Sequence, residues 1–273
     1  MTLMRYGVIV VSTADLRAKP SHKSEMVSQG LLGAPVAVNG PAVGDGWLKV
    51  TMPDGYPGWM RSWNVRLMSK REVSEWNKKA IVTVVEGHAD VVRSRRAGSR
   101  RIRDLVLGCR VVLLKREGSW GRIILPDGVK GWVRSRALAP RVGAAARAAA
   151  IVRTARLFLG APYLWGGVSP KGADCSGLVQ TVYGAHGLAL PRDVGDQRLC
   201  GVEIGIGELR AGDLLFFGPS RRWLTHVGIA SGGARFIHAG CPVEEASLDP
   251  AHRMYQRRLA HRLRLVTRIL PES

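Results

Sequence analysis

The chain opens as a succession of short apolar runs, Val8-Ile9-Val10-Val11, Pro35-Val36-Ala37-Val38, Ala80-Ile81-Val82-Thr83-Val84-Val85 and Val111-Val112-Leu113-Leu114. Gly and Pro punctuate them, a pattern that predicts short β-strands. One stretch occurs twice. Gly46-Trp47-Leu48-Lys49-Val50-Thr51-Met52-Pro53-Asp54-Gly55-Tyr56-Pro57-Gly58-Trp59 aligns with Ser119-Trp120-Gly121-Arg122-Ile123-Ile124-Leu125-Pro126-Asp127-Gly128-Val129-Lys130-Gly131-Trp132. Both tryptophans recur at one offset around a fixed Pro-Asp-Gly turn. Each copy therefore reads strand, turn, strand, and the first half predicts two small all-β barrels.

Beyond about residue 140 the pattern changes. The segment Val142-Gly143-Ala144-Ala145-Ala146-Arg147-Ala148-Ala149-Ala150 starts a helix with Ile151, Val152, Ala155, Leu157 and Phe158 as its apolar positions. Alanine favours the helix intrinsically, and the stripe predicts docking on a sheet. From Ser176, the residues Leu178, Val179, Val182 and Tyr183 recur at helical spacing, which sets Asp174-Cys175 at or just inside a helix N-terminus. Farther on, Thr225-His226-Val227-Gly228-Ile229-Ala230 and Arg235-Phe236-Ile237-His238-Ala239 alternate in polarity around Ser231-Gly232-Gly233-Ala234, the pattern of a hairpin. Folding it about Gly232 sets His226 directly opposite His238, with Cβ atoms about 5 Å apart. The domain boundaries fall at 1–70, 71–140 and 141–273, each piece long enough to fold alone.

Cys175, His226 and His238 therefore form a testable constellation of nucleophile, base and orienter. At a helix start, unpaired N–H groups and the positive dipole end stabilise a thiolate, and a neighbouring imidazolium lowers the thiol pKa further. Such a pair performs acyl transfer. The bland alternative is a small buried cysteine with two strand histidines.

Five further motifs join Asp174-Cys175-Ser176-Gly177: Leu159-Gly160-Ala161-Pro162-Tyr163-Leu164-Trp165-Gly166-Gly167, Leu190-Pro191-Arg192-Asp193, Leu209-Arg210-Ala211-Gly212-Asp213-Leu214-Leu215-Phe216-Phe217, His226-Val227-Gly228-Ile229 and Ile237-His238-Ala239. In this order they resemble the NlpC-type cell-wall cysteine peptidases, a papain-like family, from about Arg147 to the C-terminus. The resemblance implies an α+β chain, with a papain-like catalytic domain of helices packed on an antiparallel sheet. The two leading barrels are similar to bacterial SH3-like domains. It also implies Cys175 as nucleophile, His226 as general base, His238 as its orienter, and the Tyr163 hydroxyl as an oxyanion donor beside the Cys175 N–H.

The repeat is asymmetric where Tyr56 aligns with Val129. In relatives that recycle wall peptides, a tyrosine at this place helps hold the substrate's free amine. The resemblance thus implies a substrate-binding set of Tyr56, Asp174 and Ser176, with a carboxylate, hydroxyls and an aromatic ring to receive an ammonium. Arg192 is expected to pair with a substrate carboxylate or with Asp174. The implied activity is endopeptidase cleavage of the gamma-D-glutamyl to diamino acid bond in stem peptides that begin with L-Ala. The alternatives are a secreted endopeptidase acting on polymeric peptidoglycan, and a wall- or peptide-binding module without turnover.

Composition adjusts this only slightly. Lys and Arg number 41 against 21 Asp and Glu, a formal charge of +20, with Arg93, Arg95, Arg96, Arg100, Arg101 and Arg103 close together. No interleaved aromatics or nucleic-acid motif accompany that run, so it reads as a solvated basic loop and no nucleic-acid partner is expected. His22, His88, His186, His252 and His261 have no ligand spacing, so neither metal nor other cofactor is expected. No stretch reaches the roughly 20 apolar residues of a membrane span. The N-terminal apolar run is too short for a signal peptide, and the cysteines Cys109, Cys175, Cys200 and Cys241 form no paired framework. The expectation is a cytoplasmic protein that acts on peptidoglycan stem peptides, secreted or periplasmic instead if a signal peptide has been removed, with a monomer as the default while the oligomeric state is left open.

Overall fold

The computed structural model describes residues 5–140 and 147–270. The chain divides into two compact units, Met1–Arg141 and Val142–Ser273.

In the first unit the apolar runs become strands; Pro35–Val38 alternates inward and outward as in a half-buried pleated sheet, while Val82–Val84 is buried throughout. They are β1 (Arg5–Ile9), β2 (Thr13–Arg17), β3 (Met26–Leu31), β4 (Pro35–Val38), β5 (Trp47–Thr51), β6 (Pro57–Arg61) and β7 (Val65–Met68). The second set is β8 (Val82–Val84), β9 (His88–Val92), β10 (Arg101–Val106), β11 (Arg110–Glu117), β12 (Trp120–Ile124), β13 (Lys130–Arg134) and β14 (Leu138–Pro140). Among the described residues the orders are β3-β2-β6-β5-β4-β1-β7 and β10-β9-β13-β12-β11-β8-β14. The second order is the first displaced by one whole set of strands, so the sequence repeat is also a repeat of topology.

The Pro-Asp-Gly turns match in detail. Gly55 and Gly128 both have φ of 86°, and the preceding aspartate accepts from the N–H two residues on, Tyr56 to Asp54 at 3.0 Å and Val129 to Asp127 at 3.2 Å. A left-handed φ with an aspartate side chain closing the turn explains the Asp-Gly pair. Each barrel has its own core, around Leu16, Val50 and Met60 in one and Val91, Leu105 and Ile123 in the other. Between them runs α1 (Lys70–Lys79), started by a reciprocal capping box of Ser69 and Glu72. Its Trp76 donates to the Gly33 carbonyl at 2.9 Å, and Leu32 packs in the second core, so the barrels share buried surface.

The second unit begins with α2 (Ala148–Ala155), which tightens into a 3₁₀ turn at Arg156–Phe158. Ile151, Val152, Ala155 and Phe158 are buried, as the stripe requires. Leu157, expected on that stripe, is 39% exposed: the 3₁₀ turn has three residues per turn, so the buried line passes to Phe158 and Leu157 rotates out. Positions 142–146 of the expected helix lie outside the described residues.

Next come the short hairpin β15 (Val168–Ser169) and β16 (Gly172–Ala173), then α3 (Cys175–Ala185) and α4 (Val194–Gln197). The sheet contains β17 (Val202–Glu203), β18 (Leu214–Phe217), β19 (His226–Gly232), β20 (Arg235–Ala239) and β21 (Val243–Ser247), with α5 (Arg257–Arg262) leading into β22 (Leu263–Arg268). Its antiparallel order is β17-β22-β18-β19-β20-β21. Helix α3 lies against β19 and β20 and receives α2 on another side. A helix enclosed in this way must be apolar nearly all round. Leu178, Val179, Val182 and Tyr183 are fully buried, each contributing roughly 1.5–3 kcal/mol, and the Tyr183 hydroxyl donates to the Gly212 carbonyl. No helix among the described residues is long and apolar enough to cross a membrane.

Candidate active site

Cys175 is the first residue of α3, and Asp174 is its N-cap. The Asp174 carboxylate, 6% exposed, accepts from Gly177 N–H at 2.7 Å and from Gly166 N–H at 2.8 Å. Arg192 grips both carboxylate oxygens, at 3.0 Å to Oδ1 and by a close contact to Oδ2, and reaches the Ser176 hydroxyl at 2.8 Å. A Cβ at Gly177 would run into the Gly167 carbonyl, so glycine is needed where the Gly166-Gly167 turn meets the helix. Gln197, fully buried, ties the platform down by donating to the Ser176 and Pro191 carbonyls at 2.9 and 2.8 Å. Of the two partners considered for Arg192, the structure shows Asp174. Ser176, 5% exposed, also faces inward, donating to Asp174. All three residues form the floor under Cys175.

The histidines meet, but not as expected from the sequence. Residue pairs across the hairpin are Gly228 with His238, Ile229 with Ile237 and Ala230 with Phe236, and a bulge falls between Ala230 and Gly232. The turn closes at Gly233-Ala234 instead of about Gly232, and with the one-residue bulge the net register shift is two residues, so His226 lies diagonally from His238 on the same face rather than opposite it. His226 Nε2 nevertheless stands 3.0 Å from His238 Nδ1, the rings meeting edge to face at 84°. Gly228 permits this. A Cβ there would lie 2.9 Å from the Phe236 ring and 3.3 Å from the His238 Cβ, in the space across which His238 leans. Beside it, the Val227 N–H reaches the Cys175 sulfur, which brings the strand of His226 to the thiol.

The electrostatics reverse the expected thiolate. Burial, followed by the Asp174 charge, pushes the Cys175 thiol up to about 11, against the pull of the Val227 and Ser176 N–H groups and Arg192. Burial and then His238 hold His226 well below the usual imidazole value. Its ring lies 5.9 Å from Phe217, and that of His238 lies 5.2 Å from Phe236, which supplies the dry surroundings. His238 is also lowered, by burial, with Glu244 opposing. The resting pair is thus a thiol and a neutral imidazole: the helix-start effect is real, but desolvation exceeds it. Burial, then Cys175 and Asp174, raise the Tyr163 phenol to about 12, so it remains a hydrogen-bond donor. Tyr163 bridges to Ala173, two residues before the cysteine.

Tyr56 belongs to the first unit, where it packs partly on the first barrel's core in the β5–β6 turn. In the arginine run of the second barrel, Arg95 pairs with Glu117 at 3.0 Å, Arg101 with Asp90 at 3.4 Å and Arg103 with Asp127 at 2.7 Å. Sequence reading missed Gly228, Gln197 and Glu244, the last standing 3.7 Å from His238 Nε2. No motif marks Glu244: it lies six residues past His238 on the paired strand β21, a segment the sequence pattern does not show as a strand.

Residues 160–264 match the NlpC/P60 family, and residues 16–63 match the bacterial dipeptidyl-peptidase Sh3 domain. The chain is 30% identical over 255 residues to a Bacillus cereus protein named gamma-D-glutamyl-L-lysine dipeptidyl-peptidase, covering 87% of this chain and 73% of that one. Dipeptidyl-peptidase 6 of Lysinibacillus sphaericus is 31% identical over 267 residues, covering 93% and 96%. The crystal structure of an NlpC/P60 family protein from Bacillus cereus superposes with a TM-score of 0.84 at 26% identity, covering 97% of this chain and all of that one.

Three outcomes follow from the geometry. Iodoacetamide alkylation of Cys175, read by peptide mass spectrometry, is expected to rise about ten-fold per pH unit through the neutral range, because the thiolate fraction grows towards a pKa near 11; a plateau near neutrality would mean a resting thiolate. Gly228→Ala is expected to lower kcat roughly ten- to hundred-fold by displacing His238, with the fold retained by circular dichroism; parental kcat would contradict it. Arg192→Met leaves a buried carboxylate uncompensated and is expected to cost about 3–5 kcal/mol in urea unfolding; a loss under about 1 kcal/mol would show that Asp174 does not need the guanidinium.

Proposed function

The chain belongs to the NlpC/P60 family of cysteine peptidases, peptidases of peptidoglycan, and on that premise we propose that it cleaves the gamma-D-glutamyl to diamino acid bond of stem peptides with a free N-terminal L-Ala, releasing a dipeptide. One observation carries the reading. Cys175 starts a helix with the Val227 N–H at its sulfur, and the preceding residue on that strand, His226, is held 3.0 Å from His238. The dipeptidyl-peptidase names of relatives at 30% and 31% identity support the dipeptide as product.

The chemistry starts from a neutral pair. As the sulfur attacks the γ-carbonyl, His226 accepts the thiol proton and becomes an imidazolium, so charge separates only while the transition state forms. The Cys175 N–H, unpaired at the helix start, and the Tyr163 hydroxyl donate to the oxyanion. Collapse breaks the amide bond, and His226 returns the proton to the leaving amine. A water molecule, deprotonated by His226, then hydrolyses the dipeptidyl thioester and frees the thiol. A free amine exists only on peptides already cut from the glycan, so the setting we propose is cytoplasmic recycling of released wall peptides.

Mass spectrometry of products from L-alanyl-gamma-D-glutamyl-diaminopimelate, its N-acetylated twin and intact peptidoglycan tests this. Release of L-alanyl-D-glutamate from the free tripeptide alone is expected, abolished in Cys175→Ala, nearly so in His226→Ala, and reduced less in His238→Ala. Equal rates on the acetylated peptide would remove the free-amine requirement, cleavage of polymer would make the protein a wall remodeller, and turnover by Cys175→Ala would overturn the mechanism.

A further inference from the structure

Strand pairing sets Glu244 directly across from His238, and behind the imidazole pair lies a cavity of about 360 Å³ whose lining includes His226, His238, Glu244 and Gln256. One atom there is unsatisfied. His238 Nε2 is buried without a hydrogen-bond partner, although a polar atom so placed is ordinarily paired. Glu244 Oε1 stands 3.7 Å away, just beyond hydrogen-bonding distance. That oxygen is held from its other side by Gln256 Nε2 at 2.6 Å, and Gln256 is itself fixed by its N–H to the Ser247 carbonyl at 3.0 Å.

The unsatisfied nitrogen matters because the two imidazoles share one proton. His226 Nε2 faces His238 Nδ1, so His226 can act as a base only through its other nitrogen, Nδ1. That requires the shared proton to sit on His226 Nε2, with His238 accepting at Nδ1 and carrying its own proton on Nε2. In the alternative arrangement His238 holds its proton on Nδ1 and donates it to His226 Nε2. The His226 proton then sits on Nδ1, and the ring cannot take one from the thiol. Both arrangements are neutral, so the choice falls to whatever His238 Nε2 faces.

We propose that Glu244, braced by Gln256, is a positioning residue that selects the base-competent tautomer of the His226–His238 pair by receiving the Nε2 proton of His238. Its side chain is 45% exposed, so a small rotation of the carboxylate closes the gap. The other ionisable groups lining the cavity behind the pair are Arg258 and Arg262 from α5 and Cys241 from the β20–β21 turn, with the Cys175 thiol of α3 reached by the Val227 N–H beside His226. Among the described residues lining the cavity, Glu244 is the one carboxylate, and its Oε1 is the acceptor standing 3.7 Å from that nitrogen.

The inference rests on His226 being the general base, and the experiment separates the two. The full chain with ¹⁵N-labelled histidine gives the tautomers by NMR without substrate, and pH profiles of kcat and kcat/KM on the free tripeptide give the catalytic effect. In the parent, His238 is expected to carry its proton on Nε2. Glu244→Ala is expected to move that population to Nδ1 and lower kcat roughly ten-fold or more, with KM within about two-fold. Glu244→Gln keeps an acceptor oxygen and the Gln256 bond, so it is expected to keep the tautomer while the acid limb moves to lower pH, because a negative charge that favoured protonation is gone.

A parent His238 protonated on Nδ1 would overturn the proposal. So would a loss of kcat in Glu244→Ala with unchanged imidazole signals, or a Glu244→Gln acid limb that stays in place; the latter decides alone if Glu244→Ala fails to fold. A protein that cleaves nothing sinks the peptidase reading, while the NMR still decides the tautomer.

Discussion

The buried carboxylate of Asp174 is the constraint on which the catalytic unit depends. It caps α3, receives the Gly166 N–H from the turn before the helix, and neutralises Arg192 from the loop beyond it. One side chain thus fixes three segments that are separate in sequence. An unpaired carboxylate at this depth would be strongly unfavourable, and an unpaired guanidinium equally so, which makes the arrangement all-or-none. Its product is positional: the first residue of α3, Cys175, can occupy only one place against β19.

The same burial sets the chemistry. Removing the thiol and the imidazoles from water disfavours both charged forms, so the pair rests uncharged although the helix start favours a thiolate. In the mechanism proposed, charge forms only as the thiol attacks, beside the Cys175 N–H and the Tyr163 hydroxyl, and the site is quiet otherwise. The hairpin serves that end. A glycine opposite His238 leaves room for the ring to lean, and the turn at Gly233-Ala234 with the bulge beside it shifts the register by two residues in all, which keeps both histidines on one face.

Much of this was legible in the sequence, and the exceptions have physical causes. The repeated Trp and Pro-Asp-Gly positions gave the two barrels because turn chemistry is local, and the apolar spacing after Ser176 gave α3 for the same reason. The hairpin register escaped because two adjacent glycines accommodate several turns, and alternation does not reveal a bulge. Leu157 escaped because a 3₁₀ turn changes the helical period over a single turn. The pKa directions and the inward roles of Arg192 and Ser176 depend on burial, which comes from segments far apart in the chain. Glu244 escaped because its segment does not read as a strand, although it lies only six residues past His238 on the strand that pairs with it.

Whether Cys175 alone carries the dipeptidyl group is read by acid quenching during turnover of the free tripeptide followed by peptide mapping. An alanyl-glutamyl thioester on the peptide that contains Cys175 is expected. Turnover with that adduct on Cys109, Cys200 or Cys241 instead, or with no thioester at any cysteine under conditions that preserve a synthetic one, would contradict it.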